Sequence, residues 1–330
     1  MRQPRLIGQG PSIYHCIVEA LPGLDPFDDR DKLGFVQNLK RMERFTGVEV
    51  LTYSIIDRRI RLLLRVPKPG DISDRELNAR LRDYYPKALA DERIAELGKL
   101  KRAKRPADYQ LRRQAYTGRM FDLGSFVKTL LQMLTQSYNP RHQWKGTIFR
   151  ERFRSILIEP WEEAVFNTAA YIELDCVREG LAERPRDYRF CGFGAATKGN
   201  KTARAQVMRL GDYSSMPVID WRVFSALYRG RMQPQEPISA RDVKAELNKR
   251  SPKLPLPVLL HCNVRYFDHG TVLGRPEFIE EVFRNNQHIF PAKRRKLCYK
   301  MRFGEWRGLH SMRNPTSGLI TVPKHYKQIG

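Results

Sequence analysis

VEVLTYSIIDRRIRLLLRVP, residues 48–67, holds two apolar, β-branched runs, 48–56 and 60–67, on either side of the short turn Asp57-Arg58-Arg59. Runs of that length around a short polar turn read as an antiparallel hairpin. On its N-terminal side, SIYHCIVEA (12–20) reads as a strand. DRDKLGFVQNLKRMERF (29–45) then brings Leu33, Phe35, Val36, Leu39 and Met42 near one helical face before Thr46 and Gly47 stop the helix. A strand, a helix and a hairpin in this order predict an α+β fold. Its expected core is a ferredoxin-like antiparallel sheet with packed helices, built from segments within residues 1–195. A smaller, basic, mainly helical C-terminal module is expected over 196–330.

Sixty Lys and Arg against 36 Asp and Glu give the 330-residue chain a formal charge of +24. Self-repulsion on that scale favours a polyanionic partner, and nucleic acid is expected ahead of a membrane surface or an acidic protein. No apolar run reaches the roughly 18 residues a membrane span needs, and MRQPRLIGQG carries neither a signal core nor a transit pattern, so a cytoplasmic protein without a membrane partner is expected. Cys16, Cys176, Cys191, Cys262 and Cys298 are odd in number and far apart, which predicts reduced, mostly core thiols. His261, Cys262, His269 and Cys298 lack the spacing of a zinc site.

Beyond the hairpin, Ser73 is a candidate N-cap for a helix, and residues 96–119 carry eight basic residues against two acidic ones, in what reads as a basic insertion near 90–119. Helical periodicity returns at 121–138, a strand is expected within 146–160, and WEEAVFNTAAYIELDCVREG (161–180) reads as one helix capped by Gly180. On that helix Asn167, Thr168, Tyr171, Asp175 and Arg178 form a polar stripe, which predicts that Tyr171 lies off the core face. A further helix is expected at 238–249. Lys293-Arg294-Arg295-Lys296 opens a basic C-terminal stretch, with Tyr299, Phe303 and Trp306 nearby, that reads as a nucleic-acid contact.

Several stretches together resemble the REP-associated tyrosine transposases, insertion-sequence 200-like members of the wider HUH (His, apolar, His) single-tyrosine class. They are GVEVLTY, RLLLRVP, RMFDLGSFVKTLLQMLTQSYNPRHQWKGTIFRERFRSILIE, AAYIELDCVREGL and DYRFCGFG, with VRYFDHGTVLGRPEFIEEVF and MRFGEWRGL resembling the extension of longer members. The resemblance implies an HUH transposase-like fold and cleavage of single-stranded or hairpin DNA. In that chemistry a tyrosine attacks the phosphodiester while a divalent cation such as Mg or Mn, held by two histidines, polarises the phosphate. Tyr171 stands at the nucleophile position. Where the family reads Asn-His-Phe-His-Leu-Leu-Leu, this chain reads Arg58-Arg59-Ile60-Arg61-Leu62-Leu63-Leu64, so Arg59 and Arg61 replace both histidines.

A guanidinium has no lone pair for a metal, so the site is expected to be lost and no cofactor is expected. Period-two spacing keeps Arg59 and Arg61 on one strand face, either as a solvated basic edge, as a bidentate phosphate clamp, or as an electrostatic substitute for the metal. Asp175 and Cys176 depart from the family's Asn and Pro, and a rebuilt carboxylate site from Asp175 with Asp57 or Glu173 is a further reading. His15 reads as a satisfied core or edge histidine. His142 in NPRHQWKG, and Arg150 and Arg152 in GTIFRERF, are candidate phosphate or base contacts. The function expected is binding of structured single-stranded DNA with degenerate cleavage. The alternatives are an active transposase using Tyr171, and a regulatory scaffold binding RNA or protein.

Overall fold

The computed structural model describes residues 5–6, 8, 10–216, 220–236, 238–250, 252–290, 297–315 and 318–326. In chain order the elements are β1 (Ser12–Glu19), α1 (Asp29–Thr46), β2 (Glu49–Ile56), β3 (Arg59–Val66), α2 (Asp74–Tyr84), α3 (Lys87–Arg102), α4 (Pro106–Thr117), α5 (Leu123–Arg141) and β4 (Arg154–Ile158). There follow α6 (Glu162–Glu173), α7 (Asp175–Arg178), α8 (Gly192–Thr197), α9 (Lys201–Met208), α10 (Trp221–Met232), α11 (Ala240–Leu247) and α12 (Leu256–His261). The chain ends with β5 (Asn263–Val264), α13 (Arg265–His269), β6 (Val272–Gly274), α14 (Pro276–Asn285), β7 (Tyr299–Lys300), β8 (His310–Ser311) and β9 (Ile320–Thr321). The result is a mixed α/β protein with a large, mostly antiparallel sheet. No helix among the described residues is long and apolar enough to cross a membrane.

The chain forms two compact units, one of residues 1–20, 50–64 and 151–330, the other of 21–49 and 65–150. Residues on both sides of position 195 lie in the first unit.

A seven-stranded sheet in the order β2-β3-β1-β4-β6-β8-β7 organises the first unit. β1 is central, and all but its last residue are buried, as a nearly unbroken apolar run requires. It pairs antiparallel with β4, Ile13 opposite Ile158 and His15 opposite Ile156. β4 runs parallel to β6, and β8 antiparallel to both β6 and β7. These last strands are two or three residues long, too short to show an alternating pattern, so the sequence reading of the C-terminal part as mainly helical passes over them.

The segment 161–180 is two helices rather than one, broken at Leu174 between α6 and α7. From Ala164 to Glu173 every residue of α6 is buried. Each large apolar side chain so enclosed contributes ~1.5–3 kcal/mol, and each enclosed polar one must find a partner inside. That second demand shapes the site.

The second unit packs α1 against α2 and α5, α2 against α3, and α3 against α4. Asp28 and Asp31 form a reciprocal capping box at the start of α1, and Gly47 closes it in the left-handed region at φ 73°. Ser73 caps α2 by accepting the Glu76 N–H at 3.2 Å, as its position in sequence predicts. The basic stretch 96–119 is the end of α3, a corner, and α4.

Candidate functional site

β3 places Arg59 and Arg61 on one face, and both meet Asp175 at the start of α7. Arg59 Nε and Nη2 donate to the two Asp175 oxygens at 3.1 and 2.9 Å, and Nη2 also reaches Glu179 at 2.6 Å. Arg61 lies 3.1 Å from Asp175 through Nε and 2.7 Å from Asp268 of α13 through Nη2, as close charge pairs rather than linear hydrogen bonds. Arg178 approaches the same Asp175 oxygen at 3.0 Å and donates to the carbonyls of Tyr171 and Leu260.

Asp175 therefore receives three guanidiniums. Burial pushes its carboxyl up, but the charges of Arg59, Arg61 and Arg178 prevail and hold it well below the usual carboxylate range. Asp268 is lowered in the same way, burial opposing and Arg61 the first of the charges that overcome it. For Arg59 and Arg61, burial favours the neutral form, and Asp175 more than restores the charged one.

Tyr171 has no exposed surface. Its hydroxyl donates to Asp268 at 3.1 Å and accepts the Val264 N–H at 3.2 Å. Its ring stacks on Phe267 with centroids 4.6 Å apart, and the Arg178 guanidinium carbon sits 3.8 Å from the ring centroid. Burial, then the Asp268 charge, pushes the phenol up to about 12. The expectation that Tyr171 lies off the core face is thus corrected. The whole polar stripe from Asn167 to Arg178 is buried: β3 partners Asp175, α13 partners Tyr171, Thr168 bonds the Ala164 carbonyl of its own helix, and Asn167 Oδ1 meets no partner among the described residues.

His15 is also fully buried, and burial followed by the Arg61 charge lowers its ring to about 3. Neither ring nitrogen has a partner among the described residues, which corrects the reading of a satisfied histidine. Glu173 faces away from the arginines and takes the Thr52 hydroxyl and the Phe193 N–H, so it does not build a carboxylate site with Asp175. Arg59 is partly exposed and Arg61 is 3% exposed, so the pair presents no twin-guanidinium surface and no solvated edge.

The other sequence candidates lie apart from this cluster. His142, after α5, stacks on Tyr138 at 3.9 Å and sits 2.9 Å from Asp31. Asp28, Asp31 and His142 are the one trio of metal-ligand type brought close together among the described residues, and Arg141 already bridges both carboxylates. Arg150 and Arg152 are exposed. Lys293, Arg294, Arg295 and Lys296 lie outside the described residues. The five cysteines are free, four of them buried. Sequence reasoning missed Asp268, Glu179 and Phe267. No local periodicity links α13 to α6, 97 residues away along the chain at the Tyr171–Asp268 contact.

No family model and no curated protein matches the chain. Among solved structures it is similar to a REP-associated tyrosine transposase bound to a REP hairpin, at 10% identity and a TM-score of 0.39, over 67% of this chain and 96% of that one. A likeness of that degree establishes neither fold nor activity for this chain.

Proposed function

We propose that this protein binds structured single-stranded DNA, a hairpin carrying an unpaired strand, and does not cut it through Tyr171. One observation carries the reading: the basic side chains at the transposase-like site are neutralised inside the fold, while three of the five at the α3–α4 corner meet no carboxylate among the described residues. Lys99, Lys101, Arg102, Lys104 and Arg105 are exposed there within seven residues. Lys101 and Arg105 pair with Asp74 and Asp108, whereas Lys99, Arg102 and Lys104 meet no carboxylate among the described residues. A chain of net charge +24 that leaves such groups in solvent suits a phosphate backbone.

A cleaving tyrosine must reach its phosphate and shed a proton near neutral pH. Tyr171 is enclosed and its phenol is raised rather than lowered. The strand order β2-β3-β1-β4, with α1 between β1 and β2, supports a ferredoxin-like, HUH transposase-like reading of that half of the sheet, which β6, β8 and β7 of the basic C-terminal part continue. Arg150, Arg152 and Lys293 to Lys296 are proposed as further phosphate contacts. His142 is not, because its ring is already stacked and bonded.

Fluorescence anisotropy over a salt series tests this with hairpin DNA bearing a tail, duplex DNA and hairpin RNA. The tailed DNA hairpin is expected to bind tightest, log affinity falling with log salt by about 0.7 per neutralised phosphate. A flat salt response, or preference for hairpin RNA, overturns the reading.

A further inference from the structure

Within the first unit a cavity of about 300 Å³ opens between α7, the loop after it, α10, α12 and residues 323–326. That volume is at the lower end of the roughly 300–1,000 Å³ range of small-molecule sites. Its lining is divided by chemistry. Leu174, Val177 and Met232 supply an apolar interior, and Arg184, Arg186 and Arg229, all half-buried or exposed, stand around it. Asp187 engages Arg184 through Nε at 2.9 Å and lies 3.9 Å from Arg186 Nε, which leaves the terminal amino groups of both, and Glu183 is the one acid on the lining.

His261 lines the same cavity and is only 5% exposed. Its Nε2 sits 2.8 Å from the Met232 carbonyl, which accepts only, so Nε2 carries the ring proton. Burial lowers the ring to about 4, which keeps it neutral and leaves Nδ1 as a buried lone pair without a partner among the described residues. Tyr326 Oη and Arg178 Nε, from two further lining residues, are likewise buried and unpartnered. Such groups are costly to enclose unless a ligand or ordered water meets them.

A bare inorganic anion would suit the arginines but leave the apolar interior and the His261 lone pair unmet. A neutral apolar molecule would do the reverse. The occupant that meets both is an anion joined to a flat ring carrying an N–H donor. We propose that this cavity binds a nucleotide, its phosphate held by Arg184, Arg186 and Arg229 and its base lying against Met232 and Leu174 with an N–H donating to His261 Nδ1. The nucleotide is either a free monophosphate or an unpaired nucleotide of a bound strand. The site stands without the strand-binding reading, because its lining residues argue for it alone.

Titration calorimetry on the full chain tests it with the four 2′-deoxynucleoside 5′-monophosphates, their nucleosides and inorganic phosphate. At least one monophosphate is expected to bind saturably, and roughly tenfold tighter than its nucleoside or phosphate alone. Arg184→Ala with Arg229→Ala is expected to weaken it by a similar factor while circular dichroism and melting stay unchanged, since both side chains are exposed. His261→Phe should weaken the nucleoside part in the same assay. Competition by a trinucleotide stronger than the monophosphate assigns the site to a strand; weaker competition assigns it to a free nucleotide. No saturable binding by any of the four, or binding indifferent to the arginine pair, overturns the proposal. Monophosphate binding without hairpin binding would keep this site and remove the strand-binding reading, and hairpin binding without it would do the opposite.

Discussion

Arg59, Arg61 and Arg178 in the first unit, and Lys99, Arg102 and Lys104 in the second, are cations in opposite settings. The former converge on Asp175, with Asp268 and Glu179 completing the charge count. The latter are exposed and meet no carboxylate among the described residues. A guanidinium pair that looks ready for a phosphate is unavailable once carboxylates distant in sequence arrive beside it. A basic corner in which only Lys101 and Arg105 find carboxylates keeps the charge of its other three cations for a ligand. Clusters of buried ions also respond asymmetrically to change: removing one partner strands the others, whereas removing a surface cation strands nothing.

The largest expected effect follows from that asymmetry. Asp175→Asn leaves three buried or half-buried guanidiniums without their shared carboxylate and should cost about 3–5 kcal/mol, read as a shift in the urea midpoint. A loss below about 1 kcal/mol would mean that the cluster is solvated and the contrast with the corner false.

The hairpin, β1 and the extent of α1 were legible because their patterns are local: apolar runs, a short polar turn, a stopping glycine; Leu33, expected near the apolar face of α1, is exposed instead. The site was half legible. Arg59, Arg61, Tyr171 and Asp175 stood out, and the spacing that put the arginines on one face is why both reach Asp175. Their burial was not readable, since a polar stripe on a helix signals solvent unless its partners are known. Those partners, Arg61 on β3 and Asp268 on α13, lie 110 and 97 residues from Tyr171 along the chain. Nothing in composition marks where a unit assembled from residues 1–20, 50–64 and 151–330 begins or ends.

Acid should expose the buried region next. His15 falls from 6.5 to about 3 and His261 from 6.5 to about 4 on folding, so each contributes stability that is lost as pH drops below 6.5. Glu173 rises from 4.5 to about 7 through burial, so its contribution is present at low pH and lost as pH rises through that interval. Between pH 4.5 and 6.5 the unfolded chain binds two protons at the histidines and the folded chain one at Glu173. Stability should therefore fall on acidification, by roughly 1 kcal/mol or more per pH unit, with His269, also lowered by burial, acting in the same direction. Glu173→Gln should steepen that slope. A flat urea midpoint across this range would contradict the burial of both imidazoles.

Tyr171→Phe removes one hydroxyl from Asp268, which keeps Arg61 beside it, so a loss of about 1–2 kcal/mol is expected in the same melts. DNA affinity should not change. If affinity drops with stability intact, the tyrosine touches the strand after all.

The smallest change in stability belongs to the corner. Lys99→Ala with Arg102→Ala and Lys104→Ala should leave the midpoint within about 0.5 kcal/mol per site. The same variant should flatten the slope of log affinity against log salt by about 2, three phosphate contacts at roughly 0.7 each. An unchanged slope would move the strand to another surface.

The central claim, that the arginines and the tyrosine form a structural core in place of a cleaving centre, is tested most directly by trapping. Labelled hairpin DNA with a single-stranded tail is incubated with the full chain and magnesium or manganese, then run on a denaturing gel. No covalent protein–DNA species is expected, and none with Arg59→His plus Arg61→His, because those changes also dismantle the ion pairs that seat α7. A covalent species from the unmodified chain that disappears in Tyr171→Phe would contradict the account.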